Sequence, residues 1–133
     1  MILAVDTSVL LAIFKGEHSA GNWVKVIDRA GKVTNQIVAC DVVTAETSSL
    51  FPSAVSYQQA MDELGVVFSP LSNSAAVRAG RVFRDYRKAG GARKVMIPDF
   101  LIGAHALEQA DALAAIDRGY LRRYFEPLKM VTL

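Results

Sequence analysis

The sequence has 133 residues, enough for one domain with a substantial core, and this length argues against a second domain. Hydrophobic residues make up 52% of the chain and charged residues 21%, which excludes a disordered protein, while a net charge of +2 does not by itself indicate nucleic-acid binding. The single cysteine, Cys40, excludes an internal disulfide and a cysteine-based zinc site and is typical of a cytoplasmic protein.

Predicted strands and helices alternate along the chain. Short apolar runs predict strands at 2–5, 36–40, 66–68, 112–116 and 130–133. Helical periodicity predicts helices at 9–15, 20–30, 54–64, 73–89 and 98–110, another after residue 41, and a short one at 120–125. Gly103, inside a predicted helix, indicates close packing against the sheet. The alternation predicts a three-layer α/β/α sandwich with a parallel central sheet, in one domain over 1–133.

Two acidic residues come directly after predicted strands. Asp6 follows the first strand, and Asp117 follows the strand at 112–116. The carboxyl ends of parallel strands lie at one edge of a sheet, where open α/β sheets bind their ligands, so both are candidate site residues. A turn aspartate that binds its own backbone is the alternative for Asp6. Asp6 also interrupts the apolar N-terminus, where we expect neither a signal peptide nor a membrane span.

Two further acids lie near the starts of predicted helices. Asp99 follows Pro98, which suits the first turn of a helix, and the alternative role for Asp99 is to cap that helix. Asp41 is expected to cap the helix that follows the second strand. Glu46 lies in that helix, on an apolar stripe that includes Leu50, and no basic residue lies three or four positions away. A partner for Glu46 must therefore come from a distant part of the chain.

These four acids are expected to converge at one edge of the sheet. Four nearby carboxylates repel one another, which raises their pKa values unless a cation is bound. An all-oxygen ligand set favours Mg²⁺, or Mn²⁺, and argues against zinc. Such an ion lowers the pKa of a bound water and orients it for attack on a phosphodiester. The sequence therefore predicts metal-assisted phosphodiester hydrolysis.

A basic ridge is predicted on the helix at 73–89, beside an apolar stripe. Its members are Arg78, Arg81, Arg84, Arg87 and Lys88, continued by Arg93 and Lys94. Such a ridge is either a solvated face or, next to a phosphate-cleaving site, a track for RNA. We expect RNA contacts from Arg87, Arg93 and Arg118. Tyr86 is expected to pack in the core more readily than to stack on bases.

Four short segments carry the acids. They are Val5-Asp6-Thr7-Ser8, Thr44-Ala45-Glu46, Pro98 to Ala106, and Ile116-Asp117-Arg118-Gly119-Tyr120. In this order and spacing the chain resembles the PIN-domain ribonucleases, particularly the VapC-type toxin of VapBC toxin–antitoxin pairs. The resemblance implies an Mg²⁺-dependent endoribonuclease site made of Asp6, Glu46, Asp99 and Asp117, with the Ser8 hydroxyl assisting.

The resemblance also implies roles for these residues and partners for the chain. Asp6 and Asp99 correspond to the principal metal ligands, and Glu46 and Asp117 to positions that complete the metal shell or orient the attacking water. It implies a homodimer and a small cognate antitoxin protein that blocks the site. Ala115 departs from the family, which often has Thr or Ser two residues before the fourth acid, so a secondary hydrogen bond is in doubt.

Three other interpretations stay open on the sequence. A PIN-domain nuclease could process RNA outside a toxin–antitoxin pair. A receiver-like α/β module fits less well, because Asp6 stands alone after the first strand and Ser69-Pro70 follows the third. A non-catalytic binding module is disfavoured, since inward-facing carboxylates are costly without a partner. His105, six residues after Asp99, falls on another face of the helix and is not expected to be a general base.

Overall fold

The computed structural model describes residues 1–33, 36–90, 97–116 and 123–133. Over these ranges helices and strands alternate as the sequence predicts. The strands are β1 (Ile2–Val5), β2 (Gln36–Ala39), β3 (Val66–Phe68), β4 (Ala112–Ala114) and β5 (Met130–Val131). The helices are α1 (Thr7–Phe14), α2 (Ala20–Val33), α3 (Asp41–Ser48), α4 (Ala54–Leu64), α5 (Asn73–Lys88) and α6 (Ile97–Gln109).

The strands of the described ranges form one parallel sheet in the order β3-β2-β1-β4-β5. β1 lies at the centre, where Leu3 pairs with Ile37 of β2 and Ala112 of β4. Right-handed crossovers place α1 to α4 on one face of this sheet and α5 and α6 on the other. The predicted three-layer α/β/α sandwich is confirmed.

The core is built from the apolar strands and the inner faces of the helices. Its largest fully buried side chains include Trp23, Phe100 and Phe125. Cys40 is also buried, and the loss of water around its thiol raises the pKa of that group. Within the described ranges, the helices are too short or too polar to cross a membrane.

Local sequence signals account for some helix boundaries, including both ends of α4. α4 begins with a capping box in which Ser53 and Ser56 bind each other's backbone N–H groups, and it ends at Gly65, whose φ of 74° is left-handed. α2 is longer than predicted, because it continues through Gly31 to Val33. Asp41 is not the cap of α3, which was a wrong prediction. Cys40 holds the cap position and Asp41 is the first helical residue; its Oδ1 accepts a hydrogen bond from the Leu71 N–H at 3.2 Å.

The two helices on the second face, α5 and α6, run antiparallel and pack against each other. At one end, the Ser72 N–H donates to Gln109 Oε1 at 2.9 Å, and Arg78 forms an ion pair with Glu108 at 3.0 Å. At the other end, the Phe83 ring lies 5.6 Å from the Phe100 ring. The C-terminal half of α5 therefore lies beside the first turn of α6.

The close approach predicted at Gly103 exists, but its partner is Phe125 and not the sheet. A Cβ atom at Gly103 would lie 2.6 Å from Cε2 of the Phe125 ring. That ring is buried and packs 6.2 Å from Phe100. The absent side chain of Gly103 thus makes room for the segment that follows β4.

Candidate active site

Asp6 lies at the carboxyl end of the central strand and is 2% exposed. Its backbone N–H donates to the Ala114 carbonyl at 2.9 Å, which extends the pairing of β1 with β4. The Asp6 side chain caps α1, because Oδ2 accepts hydrogen bonds from the Ser8 N–H at 3.2 Å and from the Ser8 hydroxyl. The local backbone role considered for Asp6 is therefore present, and it fixes the carboxylate at the edge of the sheet.

The order of the strands makes this edge a topological switch point. The chain leaves β1 toward β2 on one side and returns to β4 on the other, and ligands of open α/β sheets bind at such a point. The Ile116 N–H, after β4, donates to the Ser8 hydroxyl oxygen at 3.1 Å. Ser8 thus joins Asp6 to the backbone one residue before Asp117. Asp117 itself, like Arg93 and Arg118, lies outside the described residues.

Glu46 is joined to the same edge by Thr7. The Thr7 hydroxyl donates to Glu46 Oε1 at 2.8 Å across 39 positions of sequence, so a distant partner exists as the sequence requires. The apolar stripe expected around Glu46 was partly wrong. Leu50 lies beyond the end of α3 and is 43% exposed, and the Glu46 side chain is exposed to solvent. The Glu46 carboxylate therefore does not bear the cost of burial.

Asp99 lies in the first turn of α6 and is partly buried. α6 spans 13 residues, or about 20 Å, and it ends at Gln109, shortly before β4 begins. Its start must therefore lie toward the opposite edge of the sheet, where β1 and β4 end. This places Asp99 on the side of the molecule that carries Asp6 and Glu46.

The acids at this edge fit a hard divalent cation by their donor chemistry. Mg²⁺ typically binds one or two carboxylates and keeps several waters, which the oxygens of Asp6 and Asp99 can satisfy. Over the described residues, no three histidine, cysteine, aspartate or glutamate side chains are grouped closely enough to hold a metal by themselves. A complete protein ligand set would need a further residue, and Asp117 is the predicted one.

His105 lies in the core, beside the residue that directly follows β3. It is 1% exposed, and its Nε2 atom lies 3.0 Å from the Ser69 hydroxyl oxygen. Burial lowers the pKa of the imidazole and favours its neutral form. Tyr86 is buried as predicted, and its ring packs 5.3 Å from Phe100.

Two residues of the basic ridge contact other side chains. Arg87 lies in the last turn of α5, with its guanidinium carbon 5.9 Å from the centre of the Phe83 ring. Arg78 instead pairs with Glu108. The hydrogen bond from the Ser74 hydroxyl, together with this pairing, lowers the pKa of the Glu108 carboxyl group.

The residue that sequence reasoning missed is Thr7. Its role as the partner of Glu46 depends on α1 and α3 packing side by side, which no local pattern reveals. The available signal was its position, directly after the acid that ends the first strand.

The fold and the site define a parallel α/β domain with carboxylates at its topological switch point. A family model described as "PIN domain" matches residues 3–126, and the chain belongs to this family. No curated protein matched the sequence significantly.

Solved structures with the same fold include three VapBC proteins. VapBC2 from Rickettsia felis, bound to a promoter DNA fragment, is 20% identical, with a TM-score of 0.69 and coverage of 99% of this chain and 98% of that chain. VapBC-1 from nontypeable Haemophilus influenzae is 18% identical, with a TM-score of 0.72 and the same coverage. DNA-bound VapBC from Salmonella typhimurium is 13% identical, with a TM-score of 0.65 and the same coverage. At these identities the likeness concerns the fold.

Proposed function

We propose that this chain is a metal-dependent endoribonuclease that acts as a single PIN-like domain. The observation that carries the proposal is the set of three hydrogen bonds that Ser8 and Thr7 make at the switch point. Ser8 connects the buried Asp6 to the backbone just before Asp117, and Thr7 connects Glu46 to the start of α1. Membership of the PIN domain family supports nuclease chemistry at this edge.

The site residues have different roles in hydrolysis, and each role follows from the surroundings of the side chain. Asp6 and Asp99 would hold Mg²⁺ or Mn²⁺, which when bound supplies positive charge to the phosphodiester and makes a water more acidic. Glu46 is exposed and held by Thr7 through Oε1, so its Oε2 atom is suited to accept a proton from the attacking water. Ser8 keeps the Asp6 carboxylate in one orientation, and Asp117 completes the site.

We further propose that the enzyme is the toxin of a type II toxin–antitoxin pair, located in the cytoplasm. The support is the resemblance of the four acid-bearing segments to VapC-type toxins and the fold shared with VapBC proteins over nearly the whole chain. In this role the protein would form a homodimer and bind a small antitoxin. A PIN-domain nuclease that processes RNA without an antitoxin is the alternative within the same chemistry.

The nuclease proposal is tested by incubating purified protein with a panel of cellular tRNA and ribosomal RNA. We expect discrete products with Mg²⁺ or Mn²⁺ and none with EDTA. The Asp99→Asn variant should be inactive under all conditions while keeping the wild-type melting temperature. If wild type and Asp99→Asn gave the same RNA pattern at every metal concentration, the catalytic proposal would be wrong and a binding role would take its place.

The toxin proposal requires an experiment in cells. Induced expression of the wild-type chain should arrest bacterial growth, and co-expression of a small protein encoded next to its gene should restore growth and co-purify with it. Growth that continues normally, while the purified chain still cleaves RNA, would favour the RNA-processing alternative.

A further inference from the structure

A shallow notch lies on the exposed side of α5, within the C-terminal half of that helix. It has a volume of about 510 Å³, which is within the range of roughly 300–1,000 Å³ found for small-ligand pockets. The notch is lined by Gly80, Phe83, Arg84, Arg87 and Lys88. It therefore combines an aromatic ring with three cationic side chains, none of which serves the acidic site directly.

Gly80 is what opens the notch. A Cβ atom built at Gly80 would meet no other atom within 4 Å, so packing does not require a glycine there. Glycine in the middle of a helix lowers helix stability relative to alanine. The absent side chain instead leaves space beside the Phe83 ring, which is only partly buried.

Among the described residues, the cationic side chains of the notch have no ion-pair partner, whereas Arg78 of the same helix has one. Ion pairs between described residues join Arg78 to Glu108 and Lys32 to Asp28, and none involves the three cations of the notch. Arg84 and Lys88 lie four positions apart on the same helical face, where like charges repel. Arg87 rests against the Phe83 ring, which limits its freedom and presents its planar guanidinium beside the aromatic surface.

The notch lies next to the candidate active site. The Phe83 ring packs 5.6 Å from Phe100, and Phe100 directly follows Asp99 in the first turn of α6. The part of α5 that bears the notch therefore packs against the first turn of α6, which carries Asp99.

We propose that the notch is a subsite for single-stranded RNA, in which one unpaired base stacks beside Phe83 and Arg87. Arg84 and Lys88 contact the neighbouring phosphates. Base stacking on an aromatic or guanidinium plane, flanked by cations, is the usual way in which proteins hold single strands. The inference rests on the proposed nuclease function, because the strand held in the notch is the one that the acids cut.

The test is binding of a short fluorescein-labelled single-stranded RNA to the full chain in EDTA, followed by fluorescence anisotropy over a range of NaCl concentrations. Gly80→Leu adds a side chain at a position where a Cβ atom meets no other atom within 4 Å, and it is expected to weaken binding about tenfold while leaving the salt dependence unchanged. Phe83→Leu keeps an apolar contact with Phe100 but removes the ring, and it should weaken binding in the same way. Melting curves establish that both variants fold.

A double substitution measures how much the cationic side chains of the notch contribute to RNA affinity. Arg84→Gln with Lys88→Gln should weaken binding and reduce the slope of log K against log salt by about 1.4, since each phosphate contact on a single strand contributes about 0.7. The matched control is Lys25→Gln with Arg29→Gln, which removes the same charge from an i, i+4 pair on exposed α2. This control should bind RNA like the wild type.

The outcomes separate the notch from the nuclease. The notch is not a subsite if Gly80→Leu and Phe83→Leu both bind RNA like the wild type. The same conclusion holds if the control pair loses as much affinity for RNA as the Arg84 and Lys88 pair. In either case, Mg²⁺-dependent cleavage of RNA still supports the nuclease proposal. Displacement of the probe by unlabelled duplex as effectively as by single strand would also overturn the proposal. Failure of the wild type to cleave any RNA with metal would overturn the nuclease, and the subsite with it.

Discussion

Asp6 combines a structural role with a proposed chemical one, and the two can be separated by substitution. Asparagine is as good a helix cap as aspartate, so Asp6→Asn should leave thermal stability close to that of the wild type. The same change removes a proposed metal ligand. RNA cleavage should therefore fall by more than about 100-fold, the upper end of the loss seen when a residue that only orients a metal ligand is changed. Asp6→Ala should also lose about 0.5–2 kcal/mol of unfolding free energy, because the cap is gone. Urea denaturation and cleavage rates check these outcomes, and full activity of Asp6→Asn would contradict the assignment.

Thr7 provides a sharper test of the site, because its side chain acts through Glu46. Thr7→Val keeps the shape of the side chain but removes the hydrogen bond to Glu46 Oε1. We expect the cleavage rate to fall about tenfold, as for other groups that orient a reacting side chain, with little change in stability. Thr7→Ser keeps the hydroxyl and should retain most of the activity. Equal activity of the valine and serine variants would show that Thr7 does not position Glu46.

The site residues differ in how far the sequence could reveal them. Asp6 was recognisable because an acid directly after a buried strand lies at the binding edge of a parallel sheet. The surroundings of Glu46 could not be predicted, because its hydrogen-bond partner is 39 positions away and its exposure depends on where α3 ends. Sequence periodicity describes one helix face at a time and carries no information about which neighbour packs against it.

Replacing each of two mid-helix glycines by alanine should change the stability of the protein in opposite directions. Gly103→Ala on α6 would place a Cβ atom 2.6 Å from the buried Phe125 ring, and this overpacking should cost about 1–3 kcal/mol of unfolding free energy. Gly80→Ala on α5 meets open space and should stabilise the protein by about 0.5–1 kcal/mol. Urea midpoints of the two variants measure the difference. Equal effects would mean that helix propensity alone decides both positions.

The boundaries of the elements were predictable where the capping signals were local. Ser53 and Gly65 mark the two ends of α4, and the structure begins and ends the helix accordingly. At Gly31 the same kind of signal failed, since α2 continues through it to Val33. Packing of Ile27 and Trp23 into the core holds this helix together and overrides the weak preference of one glycine.

For the whole molecule, alternation of apolar strands with amphipathic helices was sufficient to predict the layers. That pattern did not predict the order of the strands in the sheet. This order follows from the long connection between β3 and β4, which places β4 beside β1 and makes the edge at Asp6 a topological switch point. The site therefore depends on a crossover that only the folded chain specifies.

The stability of the whole fold should depend on pH through the buried His105. Loss of water around the ring lowers the pKa of His105 in the folded state, so the unfolded chain binds a proton more readily. Stability is fully present above the unfolded pKa of 6.5 and should be lost as pH falls below it, by at most about 1.4 kcal/mol per pH unit. His105→Gln can keep the hydrogen bond to Ser69 without titrating, and its urea midpoint should vary less between pH 7.5 and pH 5. His18→Gln, in an exposed loop, controls for the loss of a histidine. If wild type and His105→Gln lost stability in parallel on acidification, protonation of His105 would not be the cause, and the carboxylates at the edge of the sheet would be the next groups to examine.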